Sequence, residues 1–292
     1  MDQKSVCLVT GATSGIGEVT ARELAHRGMH VVIVGRSAER VAATVARIKQ
    51  ATGVEVETLI ADLSSQTGVR SVAEAFLQRH QRLDVLINNA GGFFASRQVS
   101  ADGIEMTWAL NHMSYFLLTN LLIDVLRASA PARVVNVSSD AHRSGVMRWD
   151  DLQFTRGYNG WAAYAQSKLA NILFSNELAR RLAGTGVTSN ALHPGFVATR
   201  FAHNNGIFWG GLMALMQRLF AIAPEEGAQT SIYLATAPEV ATISGRYFVK
   251  SRETTPAPQA QDMAAAARLW DISERLIVNS APVLRGDAHS PA

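Results

Sequence analysis

A chain of 292 residues, 48% hydrophobic and 17% charged, has the makeup of a globular protein with a large core, which excludes intrinsic disorder. Its net charge of +3 comes from Lys and Arg residues scattered singly, so no nucleic-acid-binding surface is expected. One cysteine, Cys7, excludes an intramolecular disulfide and points to a reducing, cytoplasmic compartment.

No signal peptide is read ahead of the first strand, and no stretch reads as a clean membrane span. Ser5–Thr10 is a short apolar run with the length of a buried parallel strand, and it places Cys7 in the packing. It runs into Gly11-Ala12-Thr13-Ser14-Gly15-Ile16-Gly17, after which a helical pattern continues to about Arg27. Strand, glycine-rich turn and helix in succession is the context of a dinucleotide site. The glycines let backbone approach a pyrophosphate, and the helix N-terminus offers it unpaired N–H groups.

A second strand, His30 to Val34, ends in Gly35-Arg36-Ser37, with Ser37 capping the next helix. An NAD site would place an acidic residue here, whereas an arginine accommodates a 2′-phosphate. NADP is therefore favoured over NAD, with Arg36 discriminating and Arg40 as a second contact. A third strand, Val54 to Ala61, ends in Asp62-Leu63, and a fourth, Asp84 to Ile87, ends in Asn88-Asn89-Ala90-Gly91. Both ends fall where open α/β sheets hold ligands. Asp62 is suited to accept from an adenine amino group, Asn89 to satisfy neighbouring backbone, and Ala90-Gly91 to leave room for a cofactor.

A long helix is expected from about Gly103 to Leu126, with Asn111 unfavourably placed in its middle and Trp108, His112, Tyr115 and Phe116 as packing residues. The fifth strand, Arg133 to Val137, leads to Ser138-Ser139; Ser139 is placed to donate to a carbonyl oxygen, and Ser138 to cap or pack. Residues 140–160 read as a polar, irregular loop in which His142 is an exposed histidine.

An amphipathic helix then runs to about Leu182 and carries Tyr164 and Lys168. Side chains four residues apart share a helix face. An ammonium beside a phenol favours the phenolate, which suits the tyrosine to general acid–base work. A sixth strand, Val187 to Leu192, meets His193-Pro194-Gly195-Phe196-Val197-Ala198-Thr199, a sharp turn at a strand C-terminus. The apolar run Ile207–Ala223, within a segment of about 200–223, reads as a substrate lid, with peripheral membrane contact as the second reading. A helix from Pro224 to about Ala237, a last strand at Arg246–Lys250, a closing helix at Ala264–Leu276 and a loose tail at 281–292 complete the chain. The expected architecture is a doubly wound parallel α/β sheet of about seven strands, in a single domain spanning 1–280.

In this order, Thr10-Gly11, Gly15-Ile16-Gly17, Asp62, Asn88-Asn89-Ala90-Gly91, Asn111, Ser139, Tyr164 with Lys168, and Pro194-Gly195 resemble the short-chain dehydrogenase/reductase family over nearly the whole chain. The resemblance implies that Tyr164 exchanges the proton and that Lys168 lowers its pKa and holds the nicotinamide ribose. It further implies that Ser139 polarises the substrate oxygen and that Asn111 anchors a proton-relay water. Gly11, Thr13, Ser14, Gly15, Ile16, Gly17, Arg36, Asp62, Leu63, Asn89, Ala90 and Gly91 would hold the cofactor, with Pro194, Gly195, Val197 and Thr199 bordering the nicotinamide.

Finer features resemble the retinol dehydrogenase branch: Asn111-His112 followed by Phe116–Leu121, Val135–Ser139 with Ala141-His142, Glu226–Thr230, and Leu269–Glu274. The vertebrate members of that branch carry an N-terminal membrane anchor; here the first strand is read from Ser5, and no such anchor is expected. The implied activity is NADP-dependent hydride transfer to or from a small hydrophobic carbonyl or alcohol substrate, such as an aldehyde, ketone or retinoid-like molecule, with no metal. Pairing of the 103–126 and 161–182 helices into a homodimer is compatible with the resemblance. A non-catalytic NADPH-binding sensor or scaffold is the alternative, distinguished by binding without turnover.

Overall fold

Eight strands form one sheet in the computed structural model, which describes residues 4–195 and 223–278. In chain order these are β1 (Val6–Thr10), β2 (His30–Gly35), β3 (Glu57–Ile60), β4 (Val85–Asn88), β5 (Ala132–Val137), β6 (Val187–His193), β7 (Tyr247–Val249) and β8 (Arg252–Glu253). They lie in the order β3-β2-β1-β4-β5-β6-β7-β8. All neighbouring pairs are parallel except β7 and β8. The order runs outward both ways from the β1–β4 pair, so a crevice opens at the C-terminal ends of those two strands.

The helices are α1 (Gly15–His26), α2 (Ala38–Thr52), α3 (Gln66–Arg79), α4 (Met106–Trp108), α5 (Ser114–Leu121), α6 (Ile123–Ala128), α7 (Gly160–Arg181), α8 (Pro224–Thr236) and α9 (Met263–Val278). Alternation along β1 divides the core. Val6 and Leu8 join a cluster with Phe76 of α3, Phe116 of α5 and Phe174 of α7. Cys7 and Val9 join Leu24 of α1, Ile48 of α2 and Leu234 of α8 on the other face. Strands buried on both faces are therefore apolar through their interiors, as Val6–Val9 of β1 and Val31–Val34 of β2 are.

Several boundaries differ from the sequence reading, each for a local reason. β3 is confined to Glu57–Ile60 because only those residues reach β2. The 103–126 helix starts at Met106, where the Glu105 carboxylate accepts from Thr107 and Trp108 N–H. It passes through a π-helical turn at Ala109–Met113 and breaks at Leu122, whose φ of −101° and ψ of 6° leave the helical range. The helix carrying Tyr164 is not amphipathic, since α9 and the turn at Asp140–Ser144 cover its outer sides. Phe174 stacks on Trp270 of α9, with ring centroids 5.9 Å apart, and Phe116 meets the same indole edge-on. The last strand spans Tyr247–Val249 and folds back through the left-handed residues Lys250 and Ser251 into β8. Most of the expected lid and the expected tail, at 281–292, lie outside the described residues. Among the described residues no helix is long and apolar enough to cross a membrane.

Burial of histidine gives the fold a defined response to acid. His112 is fully buried; its Nε2–H donates to Ser273 Oγ at 2.9 Å, and that hydroxyl donates in turn to Leu269 O. Burial pushes this imidazole down from 6.5 to about 3, partly offset by the Asn171 amide. Between those values the unfolded chain binds a proton that the native chain refuses, so stability falls as pH drops below 6.5. His142 and His193 are also pushed down by burial and act in the same direction. For His112 alone the loss between pH 6.5 and 5 is about 2 kcal/mol. Melting temperatures measured from pH 7.5 to 5 should therefore decline steadily, and a flat profile would contradict this account.

Candidate active site

The crevice at the ends of β1 and β4 is closed by one threonine and one asparagine. Thr10 Oγ1 donates to Ile87 O at 3.2 Å and accepts from the N–H groups of Asn89 and Ala90 at 2.9 and 3.0 Å. Asn89 Nδ2 donates to Thr10 O and Gly11 O, bracing the neighbouring strand end. Thr10 opens the glycine-rich motif in the sequence, and a polar residue ending an apolar strand is the signal for its bridging role.

Close backbone approach explains the glycines. A Cβ on Gly11 would stand 2.7 Å from Ala90 Cα, and one on Gly17 would stand 2.5 Å from Asn89 Nδ2. Gly11 and Gly15 also hold positive φ of 64° and 56°. Ser14 precedes α1 as an exposed residue whose side chain makes no capping bond, so the first N–H groups of the helix face outward. Thr13 packs against Gly35, where a Cβ would meet its methyl at 2.4 Å, and Ile16 packs against α8.

Arg36 and Arg40 are both exposed just beyond β2, and among the described residues neither enters a side-chain ion pair. Asp62 is exposed and its Oδ1 accepts from Ser64 N–H and Oγ–H, while Leu63 turns into the core. These positions, with Ala90 and Gly91, follow the C-terminal ends of β2, β3 and β4, where an open parallel sheet holds its ligand groove. Pro194 and Gly195, the latter at φ 92°, follow β6 at the same edge. Val197 and Thr199 lie outside the described residues.

Tyr164 and Lys168 share one face of α7 next to the end of β5. Lys168 Nζ is buried, donates to Val137 O at 3.1 Å, and lies 5.7 Å from the Tyr164 ring centroid. Ser139 is hydrogen-bonded to the Tyr164 side chain, and its Oγ also accepts from Ala141 N–H. Ser138 Oγ donates to Lys168 O at 2.7 Å, so the adjacent serine fastens the helix.

Burial pushes the Tyr164 phenol up to about 12, against a smaller pull downward from Ser139. Burial also pushes the Lys168 amine down to about 7. In the protein alone, burial thus favours the neutral form of both groups.

Asn111 lies in the π-helical turn, a distortion frequent at functional sites. Its Oδ1 accepts from Gly92 N–H at 2.8 Å, and its Nδ2 donates to Gly92 O and Ser167 Oγ, both at 3.0 Å. Both amide hydrogens are thus engaged by protein, and the side chain acts as a clamp. Ser167 donates onward to Tyr164 O at 2.7 Å; no motif marks it, and its place beside Lys168 is the only signal the sequence carries.

His142 is not an exposed loop residue. It is buried: Nδ1–H donates to Ser139 O at 2.7 Å, while Nε2 accepts from Ala257 N–H at 3.1 Å. It thereby fixes the backbone of the serine that faces Tyr164. Around the phenol stand Phe93, its ring centroid at 6.2 Å, and Trp161, at 6.0 Å and half exposed.

Comparison with known proteins agrees with this geometry. The profile of the family described as short chain dehydrogenase matches residues 5–207. Human retinol dehydrogenase 13 is 44% identical over 284 residues, covering 95% of this chain and 86% of that protein. Human retinol dehydrogenase 14 is 46% identical over 286 residues, covering 92% and 85%. Among solved structures, one from Mycobacterium paratuberculosis superposes with a TM-score of 0.76 at 33% identity, over 95% of this chain and 96% of that one. The Pseudomonas aeruginosa RhlG/NADP complex gives a TM-score of 0.68 at 32% identity, over 84% and 93%.

Proposed function

The chain belongs to the short-chain dehydrogenase family, in its retinol dehydrogenase-like branch, and on that premise we propose that this oxidoreductase uses NADP(H) to interconvert a hydrophobic carbonyl compound and its alcohol. The observation that carries the proposal is the convergence of Tyr164, Lys168 and Ser139 at the end of β5, on the same edge of the sheet as the glycine turn after β1.

A nicotinamide cofactor, when bound, would supply or accept the hydride. Ser139 holds the substrate oxygen by its hydroxyl, and Tyr164 delivers the proton to that oxygen or removes it. Lys168 donates to Val137 O, and its other N–H groups suit the ribose hydroxyls. Asn111 sets Gly91 and Gly92 against them: a Cβ on Gly91 would stand 3.3 Å from Asn111 Oδ1 and 3.6 Å from Lys168 Nζ. The outward N–H groups of α1 suit the pyrophosphate. His142 is a positioning residue that acts through the Ser139 backbone.

Two features support the finer assignments. Phe93 and Trp161 both bring apolar rings against the Tyr164 ring, which suits a hydrophobic substrate, and both human relatives are retinol dehydrogenases. Arg36 and Arg40 offer exposed cations where a 2′-phosphate would lie, and the RhlG structure is a complex with NADP. The same reading treats residues 1–280 as one cofactor-binding and catalytic domain. It includes a cytoplasmic location, which the single buried Cys7 supports.

The test is cofactor consumption against a panel of hydrophobic aldehydes and ketones, retinal included, with NADPH and NADH compared. Turnover with NADPH on at least one apolar carbonyl is expected, and NADPH binding without turnover on any would remove the proposal. Arg36→Asp should raise the KM for NADPH roughly tenfold or more, through loss of a charge-assisted hydrogen bond and gain of repulsion, while sparing NADH. An unchanged NADPH/NADH ratio in that variant would detach Arg36 from cofactor choice.

A further inference from the structure

At the N-terminal end of the sheet, away from the catalytic residues, three side chains of metal-ligand type converge. His30 opens β2, Glu57 opens β3, and His80 is the residue that closes α3. The Nε2 atoms of both imidazoles meet one carboxylate oxygen, Glu57 Oε2, at 3.2 and 2.9 Å. The ligand atoms all lie within 4.8 Å of one another. Arg79 Nη1 holds the other carboxylate oxygen at 3.0 Å, which leaves Oε2 facing the histidines. Phe76 packs on the His80 ring with centroids 4.8 Å apart, and the two histidine rings are 5.1 Å apart.

We propose that His30, Glu57 and His80 form a binding site for a divalent transition-metal ion of the zinc class. Two imidazole nitrogens and one carboxylate oxygen are the donor set that zinc accepts, whereas calcium and magnesium require oxygen. An ion with bonds of about 2.0–2.2 Å fits between the three groups after modest side-chain rotation, with solvent completing a tetrahedron. All three side chains are partly exposed, which permits that rotation and gives the ion a route in. Arg79 serves as the outer partner that orients the carboxylate, and its positive charge restrains affinity. The ligands come from two strands and a helix distant in sequence, so the folded chain assembles the site and an ion would tie these elements together. His30 lies five residues before Gly35, roughly 16 Å along β2 at strand rise, so the ion's role is structural and separate from hydride transfer.

The test uses the full-length, chelator-stripped chain titrated with zinc chloride near neutral pH. One equivalent should bind, with Kd in the micromolar range, and melting temperature should rise by about 3 °C at large excess. His30→Gln and His80→Gln should each weaken binding tenfold or more and abolish the rise. Absence of binding, or binding that persists unchanged in both variants, would overturn the proposal; the latter result would direct attention to other histidines, such as His203 and His289. Should either variant fail to fold, X-ray absorption at the zinc edge of the native chain decides. Two imidazole ligands uphold the site, and fewer reject it.

Discussion

Replacing Tyr164 by phenylalanine is expected to lower kcat for carbonyl reduction about a thousandfold while leaving the fold and NADPH affinity nearly intact. The size follows from general acid–base catalysis, which typically contributes about 10²–10⁴-fold. The ring keeps its place, since its edge-on contact with Phe93 and its position under Lys168 need no hydroxyl. The hydrogen bond with Ser139 is lost, which costs about 1 kcal/mol of stability. The pH dependence gives the experiment a second edge. With its phenol pushed up to about 12, Tyr164 is protonated across the neutral range and ready to donate. Carbonyl reduction should therefore hold its rate as pH rises towards 9, whereas alcohol oxidation needs the phenolate, whose fraction grows about tenfold per pH unit below the pKa. The ratio of oxidation to reduction should climb with pH in the native enzyme. Steady-state rates in both directions, with cofactor titration of the variant, check this; wild-type turnover in Tyr164→Phe would remove the phenol from the mechanism.

The groundwork for that experiment is legible in the chain wherever local physics sets the structure. β1, the glycine turn and α1 are readable because an apolar run, residues that accept positive φ, and a helical period succeed one another within about twenty residues. Ser37 is recognisable as a cap because its side chain acts within its own turn, accepting from Arg40 N–H. The π-helical turn is hidden, since a single widened turn leaves the apolar pattern of the 103–126 segment intact while rotating Asn111 relative to α5. His142 reads as exposed because the groups that bury it and bond to it, Ala257 and Gln259, come more than a hundred residues later. The enclosure of α7 by α9 is concealed for the same reason: its outer apolar residues read as one face among polar ones until Trp270 covers them. Charge states are the least accessible, because whether an ammonium or desolvation governs Tyr164 depends on burial that no motif encodes.

Asn111 is where stability and function meet most closely, and Asn111→Leu is expected to damage both. Leucine comes close enough in size for the variant to isolate polarity from packing. Gly92 would lose the acceptor for its N–H and a donor to its carbonyl in a buried setting, and Ser167 would lose the amide that reaches it. Two buried backbone groups without partners cost roughly 2–5 kcal/mol together, which in a chain of this size should lower the melting temperature by about 3–8 °C. The functional loss has a separate cause. Asn111 connects the segment after β4, carrying Ala90 and Gly91, to the turn of α7 that carries Tyr164, by way of Ser167 Oγ and Tyr164 O. Without that connection the groove wall and the proton donor are no longer held in register, and misplacement of about 1 Å is enough to cost a large part of the rate. Ser167→Ala supplies the graded comparison, because it removes one of the three bonds and leaves the two to Gly92 in place. Its melting temperature should drop by a third or less of the Asn111→Leu change. Turnover measured well below both melting temperatures separates the two effects: Asn111→Leu should remain at least tenfold impaired there, even with the population fully folded. Native turnover in folded Asn111→Leu would show that the clamp stabilises the chain without positioning the chemistry.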